Sequence, residues 1–270
     1  MVLYINGNYP HHSLHGELVA RLADMGNAIT VYVPMLGKEL DGKYRVVVSS
    51  HLEADHFIEQ GMHENEDLYI CGLPKFDRSK WNENAEKIVI MPTWRPWEAN
   101  EIQIDPTQSA YYKMMLRIVD GIPKEYHDRI QILPHPLFLE RISKSNDPIK
   151  DKFMIDQKYD TILQNTALLI TDYSSIAYDA YYRGAQVIFY WEEKDQCMEE
   201  YGEGTELMLN EENVFAPVAY NEKELTDAFN EVYLKPHAAN YQDKFEKIVE
   251  FHDNKNTDRL VEMLTEDGLL

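Results

Sequence analysis

The sequence predicts an α/β fold built around a parallel β-sheet. Short apolar segments typical of strands alternate with segments whose apolar residues recur three and four positions apart, as on one face of a helix. Most strand segments are continuously apolar rather than alternating, which indicates strands covered on both faces. A doubly wound, Rossmann-like sheet with helices on both sides satisfies both observations.

The chain begins with a predicted strand, helix and strand. VLYIN (2–6) is short and apolar, and the next segment places leucines four positions apart before Gly26, a residue suited to end a helix. AITVYVP (28–34) is the second strand and stops at a proline. If these strands pair in parallel, the helical crossover between them is right-handed.

The same alternation continues from residue 44 onward. Further strands are predicted at RVVVSS (45–50), DLYIC (67–71), KIVIM (87–91), RIQIL (129–133), ALLIT (167–171) and AQVIFYW (185–191). Helices are predicted between and after them, at 51–61, 107–120, 158–165, 174–183, 222–234 and 245–253.

The 270 residues carry a formal net charge of −21, which argues against a nucleic-acid binder that relies on a basic surface. Residues 192–270 alone hold 21 Asp and Glu against 7 Lys and Arg. Solvated helix faces are the ordinary explanation of such a segment. An anionic ligand would therefore have to be held by local donors against an unfavourable overall field.

Cysteine content and apolar runs indicate a cytoplasmic protein. Cys71 and Cys197 lie far apart and form neither a disulfide framework nor a metal or redox motif. The opening segment MVLYINGNYP lacks the basic and apolar regions of a signal peptide, and no run of about 20 apolar residues follows.

Four predicted strands are followed directly by loops that carry polar or basic side chains. The loops are Gly72-Leu73-Pro74-Lys75, Pro92-Thr93-Trp94-Arg95, Pro134-His135-Pro136 and Asp172-Tyr173-Ser174-Ser175. The carboxyl ends of parallel strands share one edge of a sheet, and ligands of open α/β folds bind there. The sequence therefore predicts an anion-binding edge to which all four loops contribute.

Ser174 or Ser175 is positioned to cap the helix that ends before Gly184. The first amides of a helix lack partners within it and lie at the positive end of its dipole, so a phosphate is favoured there. A serine-capped helix also forms without a ligand. Asp172, at the strand end, and Asp179, one turn into the helix, either shape a ligand site or only accept backbone amides.

His135 lies between two prolines, which lack an N–H group and fix φ, so its loop is expected to be stiff. Beside phosphates its ring would donate hydrogen bonds and take on positive charge. Arg95 is suited to a two-pronged phosphate contact. The alternatives are a surface histidine in a proline-rich turn and an arginine packed on Trp94 or Trp97.

These loops resemble motifs of the CDP-glycerol glycerophosphotransferase family of teichoic-acid biosynthesis. The resemblance runs from about Val46 to the end of the chain. It rests on five stretches in family order: ICGLPKFD (70–77), MPTWR (91–95), LPHP (133–136), LLITDYSSIAYDAYYRGAQVIFY (168–190) and FHDNKNTDRLVEML (251–264). The family fold is GT-B-like, with two Rossmann-type domains, and its C-terminal domain binds the CDP part of the donor.

The resemblance implies a transferase that moves glycerol phosphate, or a related alditol phosphate, from a CDP-linked donor to the hydroxyl end of a cell-wall or capsule polymer. It implies no cofactor. The donor diphosphate would be held by Arg95, His135, Ser174 and Ser175, and the site would be shaped by Thr93, Asp172 and Asp179. The partners would be CDP-glycerol or a similar nucleotide-linked donor and a polyol-phosphate or glycan acceptor, with no nucleic acid.

Two candidates arise for a catalytic residue. His135 is the first, through its place beside the phosphates. The base of the family is thought to be the histidine of a Trp-His-Gly-Thr motif, and this sequence has only His15-Gly16, inside a predicted helix. His15 is therefore the second candidate. His11, His12 and His15 lack a suitably spaced acidic or cysteine partner, so no metal site is predicted.

The predicted domains are a short N-terminal βαβ segment, residues 1–45, and a GT-B-like donor-binding domain, residues 46–270. The first is expected to be a remnant of an acceptor domain or a truncated one, because the family's first domain is normally much longer. Family members that dock on membranes use basic or amphipathic surfaces, whereas this chain is acidic. Any membrane contact is therefore expected to be weak and peripheral.

Two other functions are compatible with the same edge. A GT-B glycosyltransferase would bind a nucleotide sugar there, because the edge suits either donor. A donor-binding module without full activity would have lost its acceptor half, and the short N-terminal segment favours this alternative.

Overall fold

The computed structural model of the chain describes residues 2–5, 30–31, 44–59, 64–153, 155, 158–201 and 209–270. These residues form two compact units, each built on its own parallel sheet. The terminal unit takes its residues from 1–79 and 242–270, and the central unit takes its residues from 80–241.

The terminal unit contains a four-stranded parallel sheet in the order β2-β1-β3-β4. The strands are β1 (Val2–Ile5), β2 (Thr30–Val31), β3 (Tyr44–Val48) and β4 (Leu68–Ile70). Helix α1 (His51–Glu59) packs on β3 and β4, and Val46, Val48, Ala54 and Leu68 form a small buried core. The strand order reverses between β1 and β3, which makes their carboxyl ends the topological switch point of this sheet.

The central unit contains a five-stranded parallel sheet in the order β6-β5-β7-β8-β9. The strands are β5 (Lys87–Ile90), β6 (Ile130–Ile132), β7 (Thr166–Thr171), β8 (Gln186–Tyr190) and β9 (Val218–Ala219). Strands β7 and β8 are buried along their whole length, as continuous apolar segments predict. Here the order reverses between β5 and β7, so their carboxyl ends form the switch point.

The helices of the central unit are α2 (Ala99–Ile104), α3 (Ala110–Gly121), α4 (Pro136–Ile142), α5 (Ile149–Lys152), α6 (Tyr159–Gln164), α7 (Ile176–Arg183), α8 (Lys194–Tyr201) and α9 (Glu222–Val232). Short 3₁₀ helices lie at Asn65–Asp67, Pro74–Arg78, Pro96–Glu98, Pro106–Gln108 and Lys124–Arg129. Helix α7 is followed by Gly184, whose φ of +117° favours glycine, and the Trp81 ring lies close to this residue.

Helices α10 (Ala239–Ile248) and α11 (Asn256–Glu266) close the chain. The carboxylate of Asp77 caps α11, accepting the amides of Asn256 and Thr257 at 2.9 and 2.7 Å. Gly72, with φ of +80°, lies so close to Asn256 that a Cβ would overlap its side-chain oxygen. The motif stretches 70–77 and 251–264 therefore pack directly against each other.

The structure confirms most predicted strands, but it changes several expectations. The predicted boundary at residue 45 falls inside β3, because β3 pairs with β1 and carries the chain on into the same sheet. The helix predicted at 245–253 ends at Ile248, since the Glu250 amide turns to donate to the Ser49 carbonyl. Strand β9 and helices α2, α4, α5 and α8 were not predicted.

Part of the N-terminal prediction lies outside the described residues, including the helix expected before Gly26. Of the helices that the structure does describe, none has both the length and the apolar character needed to cross a membrane.

Candidate functional site

Asp172 ties together the chain segments that follow three neighbouring strands. Its Oδ1 accepts the amide and hydroxyl of Thr93 at 2.8 and 2.6 Å, and the amide of Tyr173 at 2.6 Å. Its backbone carbonyl accepts Nε1 of Trp191, the residue after β8, at 3.1 Å. The ends of β5, β7 and β8 are therefore fixed through one buried aspartate at the switch point.

Arg95 is enclosed by these segments and has no exposed side-chain surface. Its Nη2 lies 2.9 Å from Asp172 Oδ2, an ion pair not aligned as a hydrogen bond, and its Nη1 donates to the Thr93 carbonyl at 2.7 Å. Burial lowers the pKa of the guanidinium, but the charges of Asp172 and Glu193 outweigh it and keep that pKa above its ordinary value. The two-pronged phosphate contact expected for Arg95 is not open in this structure, because protein groups surround the guanidinium.

The ring of Tyr173 lies 5.6 Å from the guanidinium carbon of Arg95. Burial raises the pKa of the Tyr173 phenol well above its ordinary value. Burial also raises the pKa of the Cys197 thiol, on α8, to about 11. Both groups are therefore protonated and uncharged at neutral pH, and the charges buried beside them are Asp172 and Arg95.

His135 joins the loops that follow β5 and β6. It is the N-cap residue of α4, and its ring stacks on Trp94 with centroids 4.5 Å apart and planes 24° apart. Its amide donates to the Tyr111 hydroxyl at 3.1 Å, and that hydroxyl donates to the Pro92 carbonyl at 3.2 Å. The adjacent prolines and these contacts agree with the stiff loop that the sequence predicts.

The hydrogen bond described for the His135 ring favours one tautomer. Nδ1 accepts the amide of Leu137 at 3.3 Å. A ring nitrogen that accepts carries no proton, so the neutral ring carries its proton on Nε2. In this tautomer Nε2 is a hydrogen-bond donor, which is the role that a phosphate oxygen requires.

The N-terminus of α7 supplies backbone donors close to Asp172. Ser175 is exposed, immediately precedes the helix and makes no side-chain cap hydrogen bond. The hydroxyl of Ser174 accepts the Ile176 amide at a long 3.4 Å. The serines therefore cap this helix weakly, and the dipole leaves partial positive charge at its start. An anion at this position would complete the capping.

The remaining sequence candidates lie elsewhere. Asp179 is buried on α7. Lys75 follows β4, which pairs with β3 in the terminal unit, so the prediction that all four loops share one sheet edge was wrong. Three of the loops belong to the central sheet. His15, with His11 and His12, lies outside the described residues.

Sequence reasoning missed the acidic residues that follow β8. Arg117, on α3, contacts Glu192 at 2.8 Å and Glu193 at 3.3 Å, and Glu193 Oε2 lies 3.6 Å from Arg95 Nε. The same rule that selected the other loops could have found these glutamates, because they come directly after a predicted strand. Tyr111 has no such signal, since it lies on the buried face of a helix.

Comparison with protein families gives a match over most of the chain. The sequence model of the CDP-glycerol:poly(glycerophosphate) glycerophosphotransferase family matches residues 38–266. The minor teichoic acid biosynthesis protein GgaB of Bacillus subtilis (strain 168) is 22% identical over 275 residues, which cover 93% of this chain and 28% of GgaB.

Solved structures share the fold. A structure of the wall teichoic acid polymerase TagF has a TM-score of 0.62 at 18% identity, over 86% of this chain and 60% of that chain. A UDP-N-acetylglucosamine 2-epimerase has a TM-score of 0.50 at 11% identity, over 100% of this chain and 96% of that chain. The chain thus spans less than two thirds of the length of GgaB and of TagF.

Proposed function

Because the chain belongs to the CDP-glycerol:poly(glycerophosphate) glycerophosphotransferase family, we propose that it transfers glycerol phosphate, or a related alditol phosphate, from a CDP-linked donor to the hydroxyl end of a polymer. The acceptor in this proposal is a polyol phosphate or glycan of the cell wall or capsule. The names of GgaB and TagF, which refer to teichoic acid biosynthesis and polymerisation, support that class of acceptor.

One observation carries the proposal: Asp172 fixes the strand ends at the switch point of the central sheet beside a weakly capped helix start. Thr93 and Tyr173 are bound to the same carboxylate oxygen, and Ser174 follows at once. The switch point of a doubly wound sheet is where nucleotides bind in folds of this kind, with phosphate at a helix N-terminus.

We assign direct contacts with the donor diphosphate to Ser174, Ser175, the first amides of α7 and the ring of His135. The amides and hydroxyls supply neutral donors, and His135 supplies Nε2–H. His135 is also the proposed catalytic residue, since it would stabilise the charge that develops on the departing phosphate.

Arg95, Thr93, Asp172 and Asp179 are positioning residues in this proposal. The ion pair of Arg95 with Asp172 and the hydrogen bonds of Thr93 fix the loop after β5 against the loop after β7. Asp179 is buried in the helix whose start would face the phosphate. These residues act by holding the amide and hydroxyl donors in place.

In the proposed reaction an acceptor hydroxyl oxygen attacks the phosphorus that carries the glycerol. The new oxygen–phosphorus bond forms as the bond from that phosphorus to the CMP oxygen breaks, CMP leaves with the electron pair, and the proton of the acceptor hydroxyl is released to solvent. Such transfers depend mainly on positioning and on charge stabilisation. The donors assigned above are groups of that kind.

Two measurements test the proposal. Isothermal titration with CDP-glycerol, CMP and a UDP-sugar compares donors, and CMP release with a glycerol-phosphate primer measures turnover. We expect CDP-glycerol to bind more tightly than the UDP-sugar and CMP to appear only with primer present. Preference for the UDP-sugar would support a glycosyltransferase, and binding without turnover would support a donor-binding module.

We also propose a cytoplasmic location with weak peripheral membrane contact, because a nucleotide-linked donor is a cytoplasmic metabolite. Flotation with anionic phospholipid vesicles tests the contact. Binding that high salt abolishes agrees with the proposal, and salt-resistant binding contradicts it.

A further inference from the structure

One buried hydroxyl joins the loops that follow β5 and β6. Tyr111 lies on α3, between these two strands in the chain, and has no exposed surface. Its hydroxyl donates to the Pro92 carbonyl, in the loop after β5, at 3.2 Å. The same hydroxyl accepts the His135 amide, in the loop after β6, at 3.1 Å. The spacing of the two loops at His135 therefore depends on this phenol.

The ring of Tyr111 supports the stack in which the His135 ring lies. It meets the Trp94 ring edge-on, with centroids 5.9 Å apart and planes 78° apart, and Trp94 stacks on His135. It also contacts the Phe138 ring, with centroids 5.2 Å apart, on the helix that His135 caps. Tyr111 thus restrains the backbone of His135 through its hydroxyl and the imidazole through Trp94.

The first turn of α3 is fixed as well. Glu98, buried in the 3₁₀ helix that follows Arg95, accepts the Tyr111 amide through Oε2 at 2.9 Å. Ser109, the N-cap residue, accepts the Tyr112 amide through its hydroxyl at 3.1 Å. Tyr111 is therefore anchored both at its amide and at its hydroxyl, so the phenol has little freedom to move.

Tyr111 has no access to a ligand of its own, because its side chain is entirely buried. Burial raises the pKa of the phenol well above its ordinary value, so the hydroxyl stays protonated at neutral pH and can donate to Pro92. Any effect of Tyr111 on a reaction must pass through the groups that it holds. A small displacement of a catalytic group can remove much of its effect on rate.

We propose that Tyr111 is a positioning residue for His135, whose backbone it holds by a hydrogen bond and whose ring it supports through Trp94. This inference rests on the proposed function and deepens it, since it adds a residue from the buried face of a helix to a site otherwise built from loops. The role of Tyr111 is to keep the imidazole in one orientation for the phosphate that is transferred.

The first test compares Tyr111→Phe with Tyr112→Phe in CMP release from CDP-glycerol with a glycerol-phosphate primer. We expect Tyr111→Phe to lower kcat about tenfold, as loss of one hydrogen bond in the transition state would. The KM for CDP-glycerol should change by less than about twofold, because the serines and amides at the start of α7 still hold the donor.

Tyr112→Phe is the matched control, because it also removes one hydroxyl from a buried tyrosine of α3. That hydroxyl donates to Asp147 at 2.7 Å instead of joining the loops at His135. We expect its kcat to stay within about twofold of the wild type. Each variant keeps its aromatic ring, and urea denaturation checks that both remain folded.

The second test is the NMR signal of the His135 ring C–H groups in the full chain without ligand, identified by its loss in His135→Ala. The stacked Trp94 ring displaces this signal from the position of a free histidine. We expect the displacement to persist in Tyr112→Phe and to decrease in Tyr111→Phe, because the imidazole would no longer be held against Trp94. A role of Tyr111 in stability alone would not move the signal of a folded variant.

The inference requires both changes in Tyr111→Phe, a lower kcat and a displaced ring signal that moves toward the free position. Either change without the other, or behaviour equal to that of Tyr112→Phe, would overturn it while the wild type remains active. A wild-type chain that releases no CMP would instead overturn the proposed function, and the catalytic role of Tyr111 with it.

Discussion

At the residue scale, the proposed donor site depends on an ion pair removed from water. Arg95 and Asp172 have no exposed side-chain surface. A buried charge is tolerated when an opposite charge and hydrogen bonds compensate for the lost hydration. Asp172 supplies the charge, and the Thr93 carbonyl supplies a hydrogen bond. A change in either charge therefore reaches the loops that would hold the phosphates.

We expect Asp172→Asn to lower the free energy of unfolding by about 3–5 kcal/mol, because Arg95 would keep a buried charge without its partner. Urea denaturation measures this change. Asp120→Asn, at the exposed end of α3, is the control and should change stability by less than about 0.5 kcal/mol. An Asp172→Asn loss as small as the control's would show that the pair contributes little.

Burial of the thiols gives a second prediction at this scale. The pKa of Cys71 is raised to about 12 and that of Cys197 to about 11, chiefly by burial. At about pH 8 neither thiol of the native chain should react with a disulfide reagent, since thiolate is the reactive form. Both should react in urea. Rapid labelling of either cysteine in the native chain would contradict its buried placement.

At the element scale, the motif stretches fall into two groups. Those that follow β5, β6 and β7 meet at the switch point of the central sheet. Those at 70–77 and 251–264 hold α11 in the terminal unit, through Asp77 at the helix start and the close approach of Gly72 to Asn256. The resemblance of these two stretches to the family motifs is therefore explained by helix capping and packing rather than by ligand contact.

We expect Asp77→Ala to lower the free energy of unfolding by about 1–3 kcal/mol, because two amides at the start of α11 would lose a charged acceptor. The measurement is urea denaturation, with hydrogen exchange reporting on α11. Asp243→Ala, exposed on α10, is the matched control. If both variants unfold at the same urea concentration, Asp77 does not stabilise α11.

The sequence was informative about individual strands and their loops, because continuous apolar segments and the residues after them are local features. It could not decide which strands pair. Strands β4 and β5 look alike as short apolar segments, yet β4 pairs with β3 and β5 pairs with β7. For the same reason the burial of Arg95 could not be predicted, since it depends on Asp172 from a different strand end.

At the scale of the whole molecule, two parallel sheets divide the described chain. Residues 242–270 return to the unit that the first 79 residues begin. The boundary predicted near residue 45 does not include this return, because it was based on local sequence pattern. Helices α10 and α11 instead join the terminal unit through contacts between residues nearly 180 to 200 positions apart, such as those that Ser49 and Asp77 make with these helices. Fold class depends on local alternation and was predictable, whereas this domain division was not.

Buried acids make stability depend on pH in the alkaline range. Burial is the largest cause that raises the pKa of Tyr69, Cys71 and Cys197 to about 12, 12 and 11. Folding favours the neutral form of each of these groups. The stability that this adds is fully present below the pKa values of the groups in the unfolded chain, and it is lost as the pH rises through their pKa values in the folded chain. Urea denaturation should show a falling free energy of unfolding above about pH 9. Constant stability up to about pH 11 would contradict this.

The central claim is that the loops after β6 and β7 bind a diphosphate at one sheet edge. Isothermal titration of CDP into the wild type, His135→Ala and Ser174→Ala/Ser175→Ala tests it most directly, with His127→Ala and Ser143→Ala as controls. We expect the two site variants to remain folded and to bind about 5- to 150-fold more weakly, as loss of about 1–3 kcal/mol implies. Wild-type affinity for CDP in both site variants would contradict the account.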